Sequence, residues 1–165
     1  MIVTREWCMA NSCLYKMNPV KNIVSKYISD GWVDPFAMEG SPADIKNGVN
    51  GEGAIDGLEF LKALKNEAVI GCLFDPYDDF KKCLKAYSPK RNGTAGRAEY
   101  WSKCKDEIAR IMKPSGIVIS FCNDSNGIGK NRGFNIVEVM LLCHGACHKD
   151  SIVTVDKKED YIFKL

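Results

Sequence analysis

Four polar side chains stand where chemistry is expected in this sequence. Asp34, Asp56, Asp75 and Asn123 all lie at or just beyond the predicted ends of apolar segments. In open α/β sheets, ligands bind outside the carboxyl ends of the strands. Carboxylate and amide groups at these positions can accept or donate hydrogen bonds to a bound molecule, so we expect one ligand site at this edge of the sheet.

The most specific of these motifs is Asp75-Pro76-Tyr77, which follows the clearest strand pattern in the chain, residues 68–74. Pro76 cannot donate to a strand ladder and therefore ends it. The carboxylate of Asp75 and the phenol of Tyr77 are then expected at the carboxyl end of the strand.

The elements that position these residues alternate along the chain. Apolar runs and turn residues predict strands, and three- and four-residue spacings predict helices. Strands are predicted at residues 32–36, 43–49 (weakly), 68–74, 116–121, 136–143 and 151–157, and helices at residues 19–28, 57–64, 79–87 and 98–112, after an irregular start.

This order predicts a three-layer α/β fold. Alternating strands and helices favour a mainly parallel sheet with helices on both faces. The last two strands flank residues 144–150 and are expected to form an antiparallel hairpin, with one antiparallel strand near the sheet edge. The 165 residues suffice for one domain, so no separate target-recognition domain is expected.

Composition excludes several classes of protein. The net charge of +2, from 23 basic and 21 acidic residues, neither requires nor excludes a nucleic-acid partner. The longest apolar stretch, residues 137–143, is far shorter than a membrane span and contains Glu138. The N-terminus lacks the long apolar core of a secretory signal. We therefore expect a cytoplasmic protein without a membrane partner.

The eight cysteines are interpreted as free thiols in small apolar positions, as is usual in an intracellular chain with its own core. Cys143, His144, Cys147 and His148 offer four zinc ligands within six residues. Ligands bunched this tightly rarely surround one ion, and the segment also fits a strand, turn and strand. The sequence favours the second interpretation, with no metal.

The sequence resembles the small phage and prophage proteins classed as adenine-specific DNA methyltransferases. The resemblance spans most of the chain, and its shared order is more specific than any single string. It is carried by residues 5–9, 33–37, 56–61, 73–77, 101–116, 125–130 and 144–155. It implies a Rossmann-like class I methyltransferase fold, S-adenosylmethionine as cofactor and transfer of a methyl group to N6 of adenine in DNA.

The resemblance also implies a cofactor site. Asp34, Pro35, Phe36 and Ala37 correspond to the turn whose backbone approaches the methionine part of the cofactor, with Phe36 beside it. Asp56 would accept a hydrogen bond from the cofactor's adenine amine. Residues 34–37 also fit a simple strand-ending turn, and Asp56 equally fits a helix N-cap. The expected ribose-binding acid is replaced by Asn47, with Glu52 as another candidate, and Glu39 approaches the place of the cofactor's carboxylate.

Asp75, Pro76 and Tyr77 resemble the Asp-Pro-Pro-Tyr motif with one proline fewer. In such enzymes the target base is extruded, its amine is hydrogen bonded and its ring is stacked. Asp75 and the Pro76 carbonyl would accept from the amine, and Tyr77 would stack on the ring. The missing residue turns the following side chain through a large angle, so a lapsed active site is the alternative.

Basic side chains on two polar loops are the candidate DNA contacts, because clustered cations on loops suit phosphates. They are Lys90, Arg91 and Arg97 in the first loop and Lys130 and Arg132 in the second. Solvated loop charges are the competing interpretation. With so short a chain, a second subunit could assist DNA binding in a homo-oligomer. No chemical role follows for Asn126, His144 or His148.

Three functions remain open from the sequence. The first is a DNA N6-adenine methyltransferase. The second is a catalytically lapsed protein of the same fold that serves a phage or prophage as a binding or inhibitor module. The third is an enzyme that uses the cofactor or a related nucleotide for another reaction, since a fold does not fix the chemistry.

Overall fold

The described residues form a seven-stranded sheet with helices on both faces. The computed structural model describes residues 1–11, 13–49, 52–76, 97–145 and 148–160. The strands are β1 (Ile2–Trp7), β2 (Trp32–Asp34), β3 (Ile45–Lys46), β4 (Val69–Phe74), β5 (Met112–Cys122), β6 (Phe134–Cys143) and β7 (Ser151–Lys158). The helices in the described part are α1 (Asn18–Tyr27), α2 (Gly57–Ala63) and α3 (Arg97–Ile111), with short 3-10 turns at Leu14–Lys16 and Lys130–Arg132.

The strand order is β1-β6-β7-β5-β4-β2-β3. The pairs β1–β6, β2–β3, β2–β4 and β4–β5 are parallel, whereas β7 is antiparallel to both β5 and β6. All strands except β7 therefore run in one direction, and their carboxyl ends meet at one edge. The prediction of a mainly parallel α/β sheet with a C-terminal antiparallel hairpin is confirmed.

Side-chain alternation divides the core between the two sheet faces. On β4, Cys72 and Phe74 pack beneath α2 and α3, whereas Leu73 points to the opposite face and packs in the cluster that contains α1. Val118 and Ile119 of β5 divide in the same way. Because successive strand side chains point to opposite faces, both faces need a helical cover, which gives the three layers that were predicted.

Several sequence predictions of secondary structure need correction. The start is not irregular but forms β1, an edge strand with both faces largely exposed. The strand expected at residues 43–49 is reduced to Ile45–Lys46, and Val49 makes only an isolated bridge to Glu52. The antiparallel strand β7 lies between β5 and β6 rather than close to an edge.

Strand β5 begins earlier than predicted, at Met112, because the ladder to β4 has a bulge. Val69 pairs with Met112, but Gly71 already pairs with Ile117. Pro114 lies inside this bulge, where its missing N–H costs no ladder bond. The Lys-Pro-Ser-Gly stretch therefore interrupts the pairing without ending the strand.

Candidate functional site

A cavity of about 300 Å³ opens at the carboxyl ends of β4 and β5. Phe74 and Pro76 line it from β4 and the residues after it, and Phe121 and Cys122 line it from β5. The rest of the wall comes from α3 and from the loop after β5: Ala98, Trp101, Ser102, Lys105, Asn123, Asp124 and Arg132. Its lining combines aromatic and polar side chains, which suits a ring-shaped ligand with polar edges.

Aromatic rings form one wall of this cavity. Trp101 makes edge-to-face contacts with Phe36, Phe74 and Tyr100, at centroid distances of 5.5, 6.2 and 4.9 Å. Phe36 also contacts Phe74 edge to face at 5.9 Å. Because Trp101 and Phe74 line the cavity while Phe36 is fully buried behind them, the predicted cofactor turn adjoins the cavity through this aromatic cluster.

Asp34 organises the turn that follows β2. Its Oδ1 accepts a hydrogen bond from the Phe36 amide at 3.0 Å, and its Oδ2 accepts from Ser41 Oγ at 2.6 Å and from Tyr15 Oη at 3.4 Å. Burial raises the pKa of Asp34 to about 6, although these donors oppose the shift. The side chains of Asp34, Phe36 and Ala37 are all buried, so they shape the turn from within.

Phe36 and Asp56 connect this turn to α2. A Cβ on Gly57 would collide with the Phe36 ring, so only glycine allows the helix to begin against it. Asp56 N-caps α2, and its Oδ1 accepts from the amides of Leu58 and Glu59 at 2.9 and 3.1 Å. The helix-capping interpretation of Asp56 is thus confirmed, and Tyr100 Oη lies 3.5 Å from the same oxygen.

Asn47 is engaged in holding the backbone. Its Nδ2 donates to the carbonyls of Pro35 and Ile55 at 3.1 and 2.9 Å, and its Oδ1 accepts from the Ile55 amide at 3.0 Å. Both amide hydrogens are used, and only 3% of the residue is exposed. Asn47 therefore does not offer its side chain to a ribose. Glu39 is exposed, pairs with Lys16 at 3.5 Å and does not line the cavity.

Tyr15 is a functional candidate that the sequence did not reveal. Burial first, and then the charges of Asp34 and Asp75, raise the pKa of its phenol well above the ordinary value. Tyr15 thus lies in the electrostatic reach of both predicted acidic positions. Nothing in the sequence distinguishes it, because its neighbours are 19 and 60 positions away.

Asp75 is largely buried at the end of β4, directly before the cavity residue Pro76. Its charge also acts on Cys122, whose pKa is raised to about 12, mainly by burial, while Lys105 opposes the shift. A thiol with so high a pKa stays protonated at neutral pH, so Cys122 is a wall residue and no nucleophile.

Asp156 holds the loop after β5 in place, because its Oδ1 accepts a hydrogen bond from the Ile128 amide at 3.3 Å. A Cβ on Gly127 would collide with this carboxylate, and the φ of Gly127 is +56°, so glycine is required there on two grounds. Lys105 Nζ donates to the Gly127 carbonyl at 2.6 Å. Lys105 also lines the cavity, so its ammonium group contributes positive charge to the cavity wall.

The two basic residues of this loop differ. Arg132 donates to Asp106 at 2.6 Å, to the Ile128 carbonyl at 3.0 Å and to Ser102 Oγ at 2.9 Å, and its side chain is only 16% exposed. Lys130 is exposed. Arg132 therefore joins the loop to α3, whereas Lys130 faces solvent.

Several predicted site residues lie outside the described residues: Tyr77, Lys90 and Arg91, as does the predicted helix at residues 79–87. Arg97 is the first residue of α3, but its side chain is not among those that the structure describes. Of the predicted positions, the described part brings Pro76, Asn123 and Arg132 to the cavity and places Asp34, Pro35, Phe36 and Ala37 in the core behind it.

The Cys-His segment after β6 joins β6 to β1. His144 Nδ1 lies 3.2 Å from the Cys8 carbonyl, its Nε2 lies 3.4 Å from Ser151 Oγ, and its amide donates to Asp150 at 3.1 Å. Cys147 lies outside the described residues. Within the ranges given above, no three His, Cys, Asp or Glu side chains are grouped to hold a metal, and the six described cysteines are free.

Comparison with known proteins gives structural similarity only. No family model and no curated protein matches the sequence. Two crystal structures of a candidate DNA modification methylase from Thermus thermophilus, one of them a selenomethionine derivative, are similar at 13% and 16% identity. Each covers 67% of this chain, with TM-scores of 0.42 and 0.43. The chain spans about half the length of these proteins, 55% and 54%.

None of the described helices is both long enough and apolar enough to cross a membrane.

Proposed function

We propose that this chain is a class I methyltransferase that transfers a methyl group from S-adenosylmethionine to N6 of adenine in DNA. The observation that carries the proposal is the aromatic-walled cavity that begins directly after Asp75, at the carboxyl ends of two parallel strands. We further propose a single domain that works in the cytoplasm of a bacterial host and is encoded by a phage or prophage.

The cavity supports binding of an extruded base. Phe74, Trp101 and Phe121 give it apolar walls, and Asn123 and Asp124 give its rim hydrogen-bonding groups. A flipped base requires this combination of aromatic contact and polar edge recognition. Asp75 and the carbonyl of Pro76 would accept from the exocyclic amine, which draws electron density onto the nitrogen, and Tyr77 would stack on the ring.

The turn after β2 supports the proposed binding of the cofactor. Asp34 holds the amide of Phe36 and the hydroxyl of Ser41, so the turn is fixed before any ligand arrives. The backbone of Asp34, Pro35, Phe36 and Ala37, together with Asp56, would hold the cofactor. When bound, S-adenosylmethionine supplies an electrophilic methyl group. This chain's residues supply position and electrostatics, since no covalent step or metal is needed.

Two features of the described residues count against tight cofactor binding. Asp34, Phe36 and Ala37 are buried as whole residues, so their main chain is covered as well as their side chains. Asn47, the residue expected to replace the ribose-binding acid, uses its side chain in hydrogen bonds to the backbone of Pro35 and Ile55. Cofactor binding therefore rests on the turn and Asp56. Without a carboxylate at position 47, the binding free energy is less favourable by about 1–3 kcal/mol.

DNA would reach the cavity across its basic rim. Lys130 is exposed on the loop beside Arg132 and can contact a phosphate. Lys90, Arg91 and Arg97 are proposed as further contacts, and a second copy of the chain could complete the DNA site. Because the side chain of Arg132 is already paired with Asp106, it would attract DNA by its charge more than by direct contact.

The proposal is tested first by calorimetric titration of the full chain with S-adenosylmethionine. We expect saturable binding with one cofactor per chain. Matched variants are Ser41→Ala, which removes a donor to Asp34, and Ser125→Ala, on an exposed part of the second loop. Only Ser41→Ala should weaken binding. A flat titration at high cofactor concentration would exclude the methyltransferase.

A second candidate is the lapsed enzyme acting as a binding or inhibitor module. The engagement of Asn47 favours it, because the ribose acid is not replaced at that position. The calorimetric titration separates the two proposals, since the lapsed protein is expected to bind no cofactor.

A further inference from the structure

Two side-chain donor atoms lie near the Cys8 thiol at the carboxyl ends of β1 and β6, away from the cavity described above. Cys8 Sγ lies 3.5 Å from Met17 Sδ and 3.9 Å from His144 Nδ1. The three residues come from three segments: Cys8 follows β1, Met17 precedes α1 and His144 follows β6. Their proximity is therefore produced by the fold and has no counterpart in a local sequence motif.

Backbone contacts hold each of the three in place. The Cys8 amide donates to the Cys143 carbonyl at 3.0 Å, and the Met17 amide donates to the Leu14 carbonyl at 3.1 Å. The His144 amide donates to Asp150 at 3.1 Å. Met17 and His144 are buried, whereas Cys8 is partly exposed. The cluster is thus anchored and can be entered from the Cys8 side.

From this geometry we infer that Cys8, Met17 and His144 form a three-coordinate site for a soft monovalent metal ion, with Cu(I) as the ion of choice. Ligands at about 2.3 Å for sulfur and about 2.0 Å for nitrogen lie about 3.7–4.0 Å apart in a trigonal arrangement. The two separations measured from Cys8 Sγ, 3.5 Å to Met17 Sδ and 3.9 Å to His144 Nδ1, lie within about 0.5 Å of these values.

The donor types select Cu(I) over zinc. Thiolate and thioether sulfur are soft ligands that favour Cu(I), and imidazole is compatible with it. Structural zinc takes four ligands, mostly thiolate, imidazole and carboxylate. The described residues hold no group of three such side chains, and here the thioether of Met17 completes the set. A thiolate with Cu(I) is also neutral, which suits a partly buried position.

Binding exchanges protons in a balanced way. When Cu(I) binds to Cys8 Sγ, it replaces the thiol proton, which passes to solvent. His144 Nδ1 lies 3.2 Å from the Cys8 carbonyl and donates to it in the metal-free chain. For Nδ1 to bind metal, its hydrogen must be exchanged for one on Nε2, which can donate to Ser151 Oγ, 3.4 Å away. No electron is transferred.

The test is an anaerobic titration of the reduced full chain with Cu(I) against a coloured Cu(I) chelator. Each ligand variant has a matched control of the same residue type: Met17→Leu with the exposed Met9, His144→Gln with the exposed His148, and Cys8→Ser with the partly exposed Cys122. We expect tight uptake of one Cu(I) that is weakened roughly tenfold or more by each ligand variant and unaffected by each control. Circular dichroism verifies that the variants are folded.

X-ray absorption of the Cu(I)-loaded chain provides a second readout. The inference predicts a shell of two sulfur atoms and one nitrogen, with one sulfur lost in Met17→Leu. Equal affinity of Met17→Leu and Met9→Leu would overturn it, because Met17 would then not be a ligand. An all-sulfur shell would overturn it as well.

Discussion

Asn47 and Ile55 hold each other by two reciprocal hydrogen bonds: the Ile55 amide donates to Asn47 Oδ1 at 3.0 Å, and Asn47 Nδ2 donates to the Ile55 carbonyl at 2.9 Å. A further bond from Nδ2 to the Pro35 carbonyl joins the loop after β3 to the turn after β2. A residue that could have replaced a cofactor-binding acid is instead a clamp between two loops.

This clamp makes Asn47→Asp a decisive substitution. Aspartate would lose the donor to two carbonyls and place a buried charge beside them, so we expect the unfolding free energy to fall by roughly 3 kcal/mol. Urea denaturation measures it, with the exposed Asn131→Asp as the matched control. Improved cofactor binding without loss of stability would instead mean that the side chain is free to serve the ribose.

The raised pKa of Asp34 predicts a pH-dependent stability. The folded chain keeps the proton up to about pH 6, whereas the unfolded chain releases it near the ordinary value of 3.8. Between these values the folded state binds more protons, so stability falls as pH rises. Relative to Asp34→Asn, the native chain should lose up to roughly 3 kcal/mol between about pH 4 and about pH 7.

Urea denaturation of both chains across this pH range measures the difference, in which the contributions of other acids, such as Asp156, cancel. Parallel pH profiles for the two chains would contradict a raised pKa at Asp34.

Lys130 and Arg132 should separate DNA binding from stability. Arg132→Ala removes the donors to Asp106, Ile128 and Ser102 and should lower the unfolding free energy by about 2 kcal/mol. Lys130→Ala should change it by less than about 0.5 kcal/mol. If Lys130 contacts a phosphate, its removal should lower the salt dependence of DNA binding by about one charge. An unchanged salt slope, from binding measured over a salt series, would exclude Lys130 from the DNA contacts.

Filling the cavity should stop catalysis while sparing the cofactor. Ala98 is an exposed residue of α3 that lines the cavity, so Ala98→Phe should occupy it without disturbing the core. We expect cofactor binding within about twofold of the native chain and methyl transfer to DNA lowered at least about a hundredfold, the effect of blocking the base site. The neighbouring exposed Glu99→Phe is the control. Equal loss in both variants would argue against the cavity as the base site.

The regular core of this fold can be predicted from sequence because its signals are local. The apolar run of β4 and the helical spacing of α3 are each contained within one segment. Strand β1 escapes prediction because an edge strand with two exposed faces carries no alternation, and Arg5-Glu6 in its second half is typical of a loop. The stretch around Pro114 predicts a stop, since only the partner strand reveals that pairing resumes at Ile117.

The site is less predictable because its contacts are long-range. Asp34 and Asp75 can be found from their place after strands, but Tyr15, which interacts with both charges, is distant in sequence. Trp101 fits a helix stripe in the sequence, and only the fold brings its ring to the cavity. The capping role of Asp56 is foreseeable because its partners are the next helical amides.

The central claim is most directly tested by incubating the chain with labelled S-adenosylmethionine and with duplex or single-stranded DNA, and then digesting the DNA to nucleosides. We predict labelled N6-methyladenine, reduced at least about a hundredfold in Asp75→Asn, because the amine loses a charged acceptor. Finding no N6-methyladenine with either DNA, from a chain that binds the cofactor, would contradict methyl transfer to adenine.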